Sequence, residues 1–318
     1  MIVKLKPAFK DYLWGGTRLR DIYQKDCAYD RVAESWELSA HPAGESVVLT
    51  TPYEGLTFSE YIDKAGKGVL GENCLRFEDF PVLIKFIDAK KPLSIQVHPS
   101  DEYALRVEHE YGKTEMWYVL DCEEDAFLYF GVNREISKEE FKQRIWDNTI
   151  LEVLDEIQVK KGDVFFVEAG TIHAIGAGIL ICEIQQNSNT TYRVYDYARR
   201  DDAGNLRELH VEKALEVSIL RPSDATDGQE DEVAVKGGTK RLLGSCEYFR
   251  VEKLCVFDQM ALTAKEESFL SLVVTSGCGT VRGGENTVDF KPGDSIFIPA
   301  GSGEITIHGS CGILKTTV

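Results

Sequence analysis

The chain has 318 residues, 36 Lys and Arg against 53 Asp and Glu, and a formal net charge of −17. A nucleic acid or an anionic membrane needs a basic footprint, so neither is an expected partner. With 43% apolar and 10% aromatic residues the chain can bury a large core, which excludes a disordered protein, and its length fits two domains or one with insertions.

The opening MIVKLKPAFKDYLW has neither an apolar core nor a small-residue cleavage site, so it does not read as a secretion signal. A strand is expected at Ser46–Thr50. Thr57 and Glu60 form a capping box that opens a short helix through Ala65. Phe80–Ile87 reads as a strand, Ser100–Tyr111 as a helix, and Met116–Leu120 and Ala126–Phe130 as strands. Ser137 and Glu140 make a second capping box, and helical spacing of apolar residues extends that insertion through residue 157. Strands follow at Asp163–Glu168 and Ile179–Gln185, then a helix at Val211–Leu220. PSDATDGQEDE, residues 222–232, has five acids and little that could pack, which marks an acidic linker. Beyond it lie strands at Phe249–Val256, Phe269–Thr275 and Ser295–Pro299. Many short strands with a few local helices argue a mainly β barrel or sandwich with helical insertions. No apolar run approaches the roughly 18 residues of a membrane-spanning helix. Eight Cys without a CxxC pair read as reduced thiols, and hence as a cytoplasmic protein.

The two sides of the linker resemble each other. GDVFFVEAGTIH (162–173) aligns with GDSIFIPAGSGE (293–304): Gly-Asp, an apolar strand, then Ala-Gly. This implies two related β domains, residues 1–221 and 233–318. In the second copy Glu304 stands where the first has His173, so residues 233–318 are expected to bind no metal.

Six His are present. In PLSIQVHP (92–99), alternation places Ser94, Gln96 and His98 on one strand face and Ile95 and Val97 on the other. Such a polar face is expected where a strand lines a polar cavity, although a lone His is more often structural. In GKTEMWYVL (112–120), Lys113 and Glu115 share a face, and His173 follows a strand and a Gly turn. Two His, one Gln and one Glu on strands of one barrel can converge on a metal, and a donor set of N and O alone suits Zn or Fe. Arg193, between Tyr192 and Val194 and close to Arg199 and Arg200, is a basic spot in an acidic chain and suits a buried anion contact.

These residues resemble the cupin superfamily, whose second motif falls on Gly162, Gly170 and His173 and departs at Glu168 and Ala177. More closely, the chain resembles the type I mannose-6-phosphate isomerase family in its short bacterial form. The likeness lies in YLWGGTRL (12–19), KPLSIQVHPSDEYA (91–104), YGKTEMWY (111–118), GTIHAIG (170–176) and EIQQNSNTTYRVYDY (183–197). It implies two jelly-roll domains and a zinc enzyme interconverting mannose 6-phosphate and fructose 6-phosphate. The implied zinc ligands are Gln96, His98, Glu115 and His173, with one Zn2+ per chain. Arg193 is the implied catalytic arginine. Lys113 and Glu183 match further catalytic positions, and Ser94, Lys113 and Arg193 match substrate-binding ones. A cation beside Lys113 would lower its pKa. Asn189 stands where the family usually has Asp. Two other readings stay open: an Fe(II) dioxygenase using the two His and Glu115, and a non-catalytic sugar-phosphate binder, which Asn189 favours. The oligomeric state is not legible in the sequence.

Overall fold

Three antiparallel sheets carry the chain in the computed structural model, in which residues 1–200, 204–223 and 230–318 are described. The first sheet orders its six strands as Val164–Val167, Glu115–Cys122, Ile179–Gln186, Val82–Ala89, Glu34–Leu38 and Ala8–Lys10. The second orders five as Tyr192–Tyr195, Ile95–Val97, His173–Ile175, Phe127–Val132 and Leu154–Gln158. The third has ten strands. It contains the C-terminal strands and also takes in Val3–Lys6 and Val47–Val48 from the start of the chain. Val3 pairs with Phe297 in this third sheet, so the N-terminal strands cross the expected division at the linker. Of the acidic stretch 222–232, residues 224–229 lie outside the described residues.

The architecture is mainly β, as expected, and the helices begin where their caps are written. Thr57 Oγ1 accepts from the Glu60 N–H and the Glu60 carboxylate accepts from the Thr57 N–H, opening Phe58–Ala65. Ser137 accepts from the Glu140 N–H at the start of Lys138–Trp146. That helix does not run on to 157. Asn148 takes the left-handed conformation at φ 57°, which ends the helix, and Ile150–Val153 is a single tight turn. Leu154–Gln158 is then a strand paired with Phe127–Val132. The helix expected at Ser100–Tyr111 likewise stops at Val107, before His109 at φ 57°.

The internal similarity is physical as well as textual. Gly162 (φ 92°) and Gly293 (φ 89°) occupy equivalent turns. Asp163 accepts from the Lys160 N–H at 2.9 Å, and Asp294 accepts from the Lys291 N–H at 2.8 Å. An Asp that closes its own turn this way fixes the direction of the next strand.

The six-stranded sheet has two different faces. Met116, Tyr118, Cys182, Ile184, Ile84 and Phe86 pack with Leu243, Phe249, Phe269, Phe297 and Leu314 of the C-terminal sheet in one continuous core. The opposite face carries Glu115, Trp117, Glu183, Lys85 and Trp36, placed side by side by the registers Glu183↔Trp117, Glu183↔Lys85 and Trp36↔Lys85. Apolar residues on this face and on the five-stranded sheet close the deep end, among them Val119, Ile181, Phe130 and Ile175.

Candidate active site

The five-stranded sheet supplies one row of the site. His173 pairs with Gln96, and Gln96 pairs with Arg193, so three side chains from three strands lie in line. The six-stranded sheet supplies Glu115, at the first position of its strand. His98, just beyond Ile95–Val97, completes the group: donor atoms of His98, Glu115 and His173 lie within 4.8 Å of one another, all buried.

The hydrogen bonds fix the histidine tautomers. His98 Nδ1 lies 2.9 Å from the Thr190 carbonyl and His173 Nδ1 lies 2.8 Å from the Thr171 carbonyl. A carbonyl only accepts, so each Nδ1 carries the proton and each Nε2 keeps its lone pair. The Nε2 of His98 accepts from Lys113 Nζ at 3.3 Å and lies 3.3 Å from Glu115 Oε1, and the Nε2 of His173 lies 3.7 Å from Glu115 Oε2. Burial, then Lys113, lowers the His98 pKa to about 3, and burial also lowers that of His173. Both rings are therefore neutral, the state a metal requires. The Gln96 amide lies 3.4 Å from His173 Nε2, and the far end of an amide can turn its oxygen to the same point. Glu115 Oε1 accepts no hydrogen bond of good geometry, although Lys113 Nζ is 2.6 Å away. A buried carboxylate oxygen with an unspent lone pair, beside two imidazole lone pairs, fits a Zn2+ site with N and O ligands.

Around this group lies a belt of buried charge. Trp117 Nε1–H donates to Glu115 Oε2 at 3.1 Å and to Glu183 Oε2 at 2.9 Å. Lys85 Nζ is 3.3 Å from Glu183 Oε1 and sits over the Trp36 ring, whose N–H donates to Glu34 at 2.7 Å. Burial, then Glu115, raises the Glu183 pKa. Glu115 is driven well below its usual range, because the Lys113 ammonium beside it outweighs its burial. For Lys113 the protein's own groups act against the expected lowering: Glu115 and Glu183 overcome burial and raise it.

Arg193 stands at the outer end of the row. Its Nη1 donates to the Glu208 carbonyl at 2.9 Å, while its buried Nε has no partner. Arg199 and Arg207 share the Asp196 carboxylate, and Arg199 also donates to the Pro92 carbonyl at 2.6 Å, two residues before Ser94. Tyr12, Trp14, Arg31, Arg199, Arg200 and Arg207 line a cleft of about 240 Å3. A larger groove of about 800 Å3 is lined by His41, Glu110, Tyr111 and Asn187 among others; it contains none of the three clustered donors. Asn189 is exposed, and its backbone N–H donates to Glu110 at 3.0 Å.

The pattern "Phosphomannose isomerase type I, catalytic domain" matches residues 2–125, and "Mannose-6-phosphate isomerase, cupin domain" matches 239–318. Among curated relatives, mannose-6-phosphate isomerase ManA of Bacillus subtilis is 41% identical over 96% of this chain and 95% of its own. The mannose-6-phosphate isomerase of Streptococcus mutans is 38% identical over 90% and 89%. The chain belongs to the type I phosphomannose isomerase family. A crystal structure of the mannose 6-phosphate isomerase from Bacillus subtilis superposes with a TM-score of 0.93 at 37% identity, over 100% of this chain and 99% of that one. The two family patterns leave His173, Glu183 and Arg193 unmatched, yet the strand pairing carries all three to the residues of the matched part.

Sequence reasoning missed several neighbours in this member of the phosphomannose isomerase family. Lys85 interrupts the apolar run VLIKFIDA, and a lysine in a strand buried along its whole length was a usable signal. Glu34 and Trp36 carry the same mark in ESWEL, buried at every position. Thr190 and Glu110 gave no signal, because a backbone carbonyl and a loop carboxylate have no pattern.

Proposed function

We propose that this chain interconverts mannose 6-phosphate and fructose 6-phosphate, with one Zn2+ per chain held by Gln96, His98, Glu115 and His173. The observation that carries the reading is the convergence of two proton-free Nε2 atoms and one carboxylate within 4.8 Å, all buried, beside two buried lysines. Bound there, Zn2+ supplies a Lewis acid that stabilises negative charge on sugar oxygens.

Moving a proton between C1 and C2 requires a base and passes through an enediolate. Glu183 is the proposed base: its raised pKa brings it closer to working pH, where proton exchange is most efficient. Lys113, kept protonated by Glu115 and Glu183, is the proposed donor to the enediolate oxygens. Ser94 and Arg193 are proposed to hold the phosphate end. The buried Nε–H of Arg193 is a donor awaiting an acceptor, and the Arg199–Arg207 cluster alongside adds positive charge. Asn189 does not weaken this reading, since an exposed side chain contributes nothing to the buried set. The proposed partner is therefore a sugar phosphate, and the proposed location is the cytoplasm; no helix among the described residues is long and apolar enough to cross a membrane. We also assign 1–221 as the catalytic domain and 233–318 as a cupin-like domain without a metal. Glu304, the counterpart of His173, is exposed.

The test is a mannose 6-phosphate to fructose 6-phosphate assay before and after metal stripping, with elemental analysis of the replete protein. Activity that disappears on stripping and returns with zinc, at one ion per chain, supports the reading. Full activity in verified metal-free protein overturns it.

A further inference from the structure

We propose that Glu110 is a positioning residue for His98, acting through Thr190, and that His41 holds Glu110 in place. The assignment rests on the zinc reading above. It begins with the Thr190 carbonyl, the partner that fixes the His98 ring and its tautomer. Thr190 belongs to a connecting segment between the Ile179–Gln186 and Tyr192–Tyr195 strands, and such a segment needs an anchor to hold one carbonyl in place.

Glu110 is that anchor. Its Oε2 accepts from Thr190 Oγ1–H at 2.6 Å, and its Oε1 accepts from the Asn189 N–H at 3.0 Å. One carboxylate thus grips two successive residues of the segment. His41 completes the chain at 2.7 Å from Glu110 Oε1. The His41 tautomer is also determined: its Nδ1 accepts from the Ala43 N–H at 3.1 Å, so Nε2 bears the proton and donates to Glu110. Burial would raise the Glu110 pKa, but the bonds from His41, Thr190 and Asn189 bring it down to about 2. Glu110 therefore presents a full carboxylate, the stronger kind of acceptor. His173 has no such chain, because its carbonyl partner, Thr171, lies in the turn two residues before it. The two histidines should therefore differ in their response to changes at Glu110.

A metal ligand whose outer partner is lost typically weakens metal binding about 10–100-fold. The experiment compares the parent with Glu110→Ala, Glu110→Gln, Thr190→Val and Thr190→Ser, reading the zinc dissociation constant by chelator competition. It also reads exchange of the imidazole N–H protons in 15N-histidine-labelled, zinc-free protein, where six histidines make assignment tractable. Glu110 reaches His98 one step further out, through Thr190, so we expect Glu110→Ala to weaken zinc by about 10-fold, the low end of that range. We expect a smaller loss for Glu110→Gln and Thr190→Val, and parent behaviour for Thr190→Ser. In zinc-free protein the His98 Nδ1–H should exchange faster in Glu110→Ala and Thr190→Val while that of His173 is unchanged. Equal acceleration of both signals would mean general loosening and would overturn the assignment, as would no change in either. Should Glu110→Ala fail to fold, Thr190→Val decides the matter by the same two readouts. A parent that binds no zinc but shows the selective His98 effect would overturn the zinc reading and leave the positioning role standing.

Discussion

Replacing Trp117 by Phe isolates one N–H that serves two carboxylates. Trp117 is fully buried, and its indole N–H is shared between Glu115 at 3.1 Å and Glu183 at 2.9 Å. A hydrogen bond to a charged group contributes about 1.5–3 kcal/mol. A shared donor gives each acceptor roughly half of that, so the Glu183 carboxylate should lose about 0.8–1.5 kcal/mol of stabilisation. At 1.36 kcal/mol per unit this raises its pKa by about one unit. The sign follows from the role: the base must be ionised, so turnover falls as pH drops through that pKa, and raising the pKa moves the acid limb of kcat/KM upward. Metal-free stability should fall by about 3 kcal/mol, from the lost bond and the space left by the smaller ring. The assay is kcat/KM against pH for the parent, Trp117→Phe and Glu183→Gln, with denaturant unfolding of the stripped proteins. Glu183→Gln should lose nearly all turnover. An acid limb that stays put in Trp117→Phe while stability falls as expected would refute Glu183 as the base. A stability change below about 1 kcal/mol would show that the shared bond is not made in solution.

Three other outcomes follow from the site. His98→Ala and His173→Ala should each lose zinc and activity together, because each removes one of four proposed ligands; full zinc retention at micromolar protein would contradict the ligand set. Arg193→Ala should keep its zinc and lose most of its turnover, with Arg193→Lys between it and the parent, since a lysine keeps the charge without the planar fork; parent kcat/KM would refute a substrate contact. Asn189→Asp should change activity by at most about fivefold, the reach of an exposed charge; a folded but inactive variant would show that the segment gripped by Glu110 does not tolerate a second carboxylate.

The mainly β fold class and the residues of the buried His98, Glu115 and His173 cluster were legible because both are written locally. Strand alternation in PLSIQVHP and GKTEMWYVL set Gln96, His98, Lys113 and Glu115 apart before any pairing was known, and the capping residues Thr57 and Ser137 marked two helix starts. What was not legible depends on contacts distant in sequence. The run to residue 157 keeps a helical spacing of apolar residues, yet its second half becomes a strand because Phe127–Val132 offers an open edge. Lys113 beside a cation suggested a lowered pKa; the groups of the protein itself, Glu115 first and then Glu183, act in the opposite direction, and the segment around Lys113 names only Glu115, two residues on. Glu110 lies 80 residues from Thr190, and nothing in either segment names the other.

The two-faced sheet explains why such a charged interior can exist in a stable protein. Buried ions carry a desolvation cost that their mutual attraction repays only when each has partners in good geometry. Here Glu34, Glu115 and Glu183 alternate with Lys85 and Lys113, the buried Trp117 N–H bridges Glu115 and Glu183, the buried Trp36 N–H donates to Glu34, and each lysine lies within 4 Å of a carboxylate. The opposite face of the same strands packs into the C-terminal sheet, so apolar burial on one side holds rigid the backbone that presents charge on the other. With three carboxylates and two ammonium groups, the belt carries one net negative charge. A divalent cation added to it leaves one net positive charge. On the proposed reading, a site with such a positive excess would stabilise the developing negative charge of an enediolate better than the uncharged carbonyl from which it forms. That difference between the two states is what lowers a barrier.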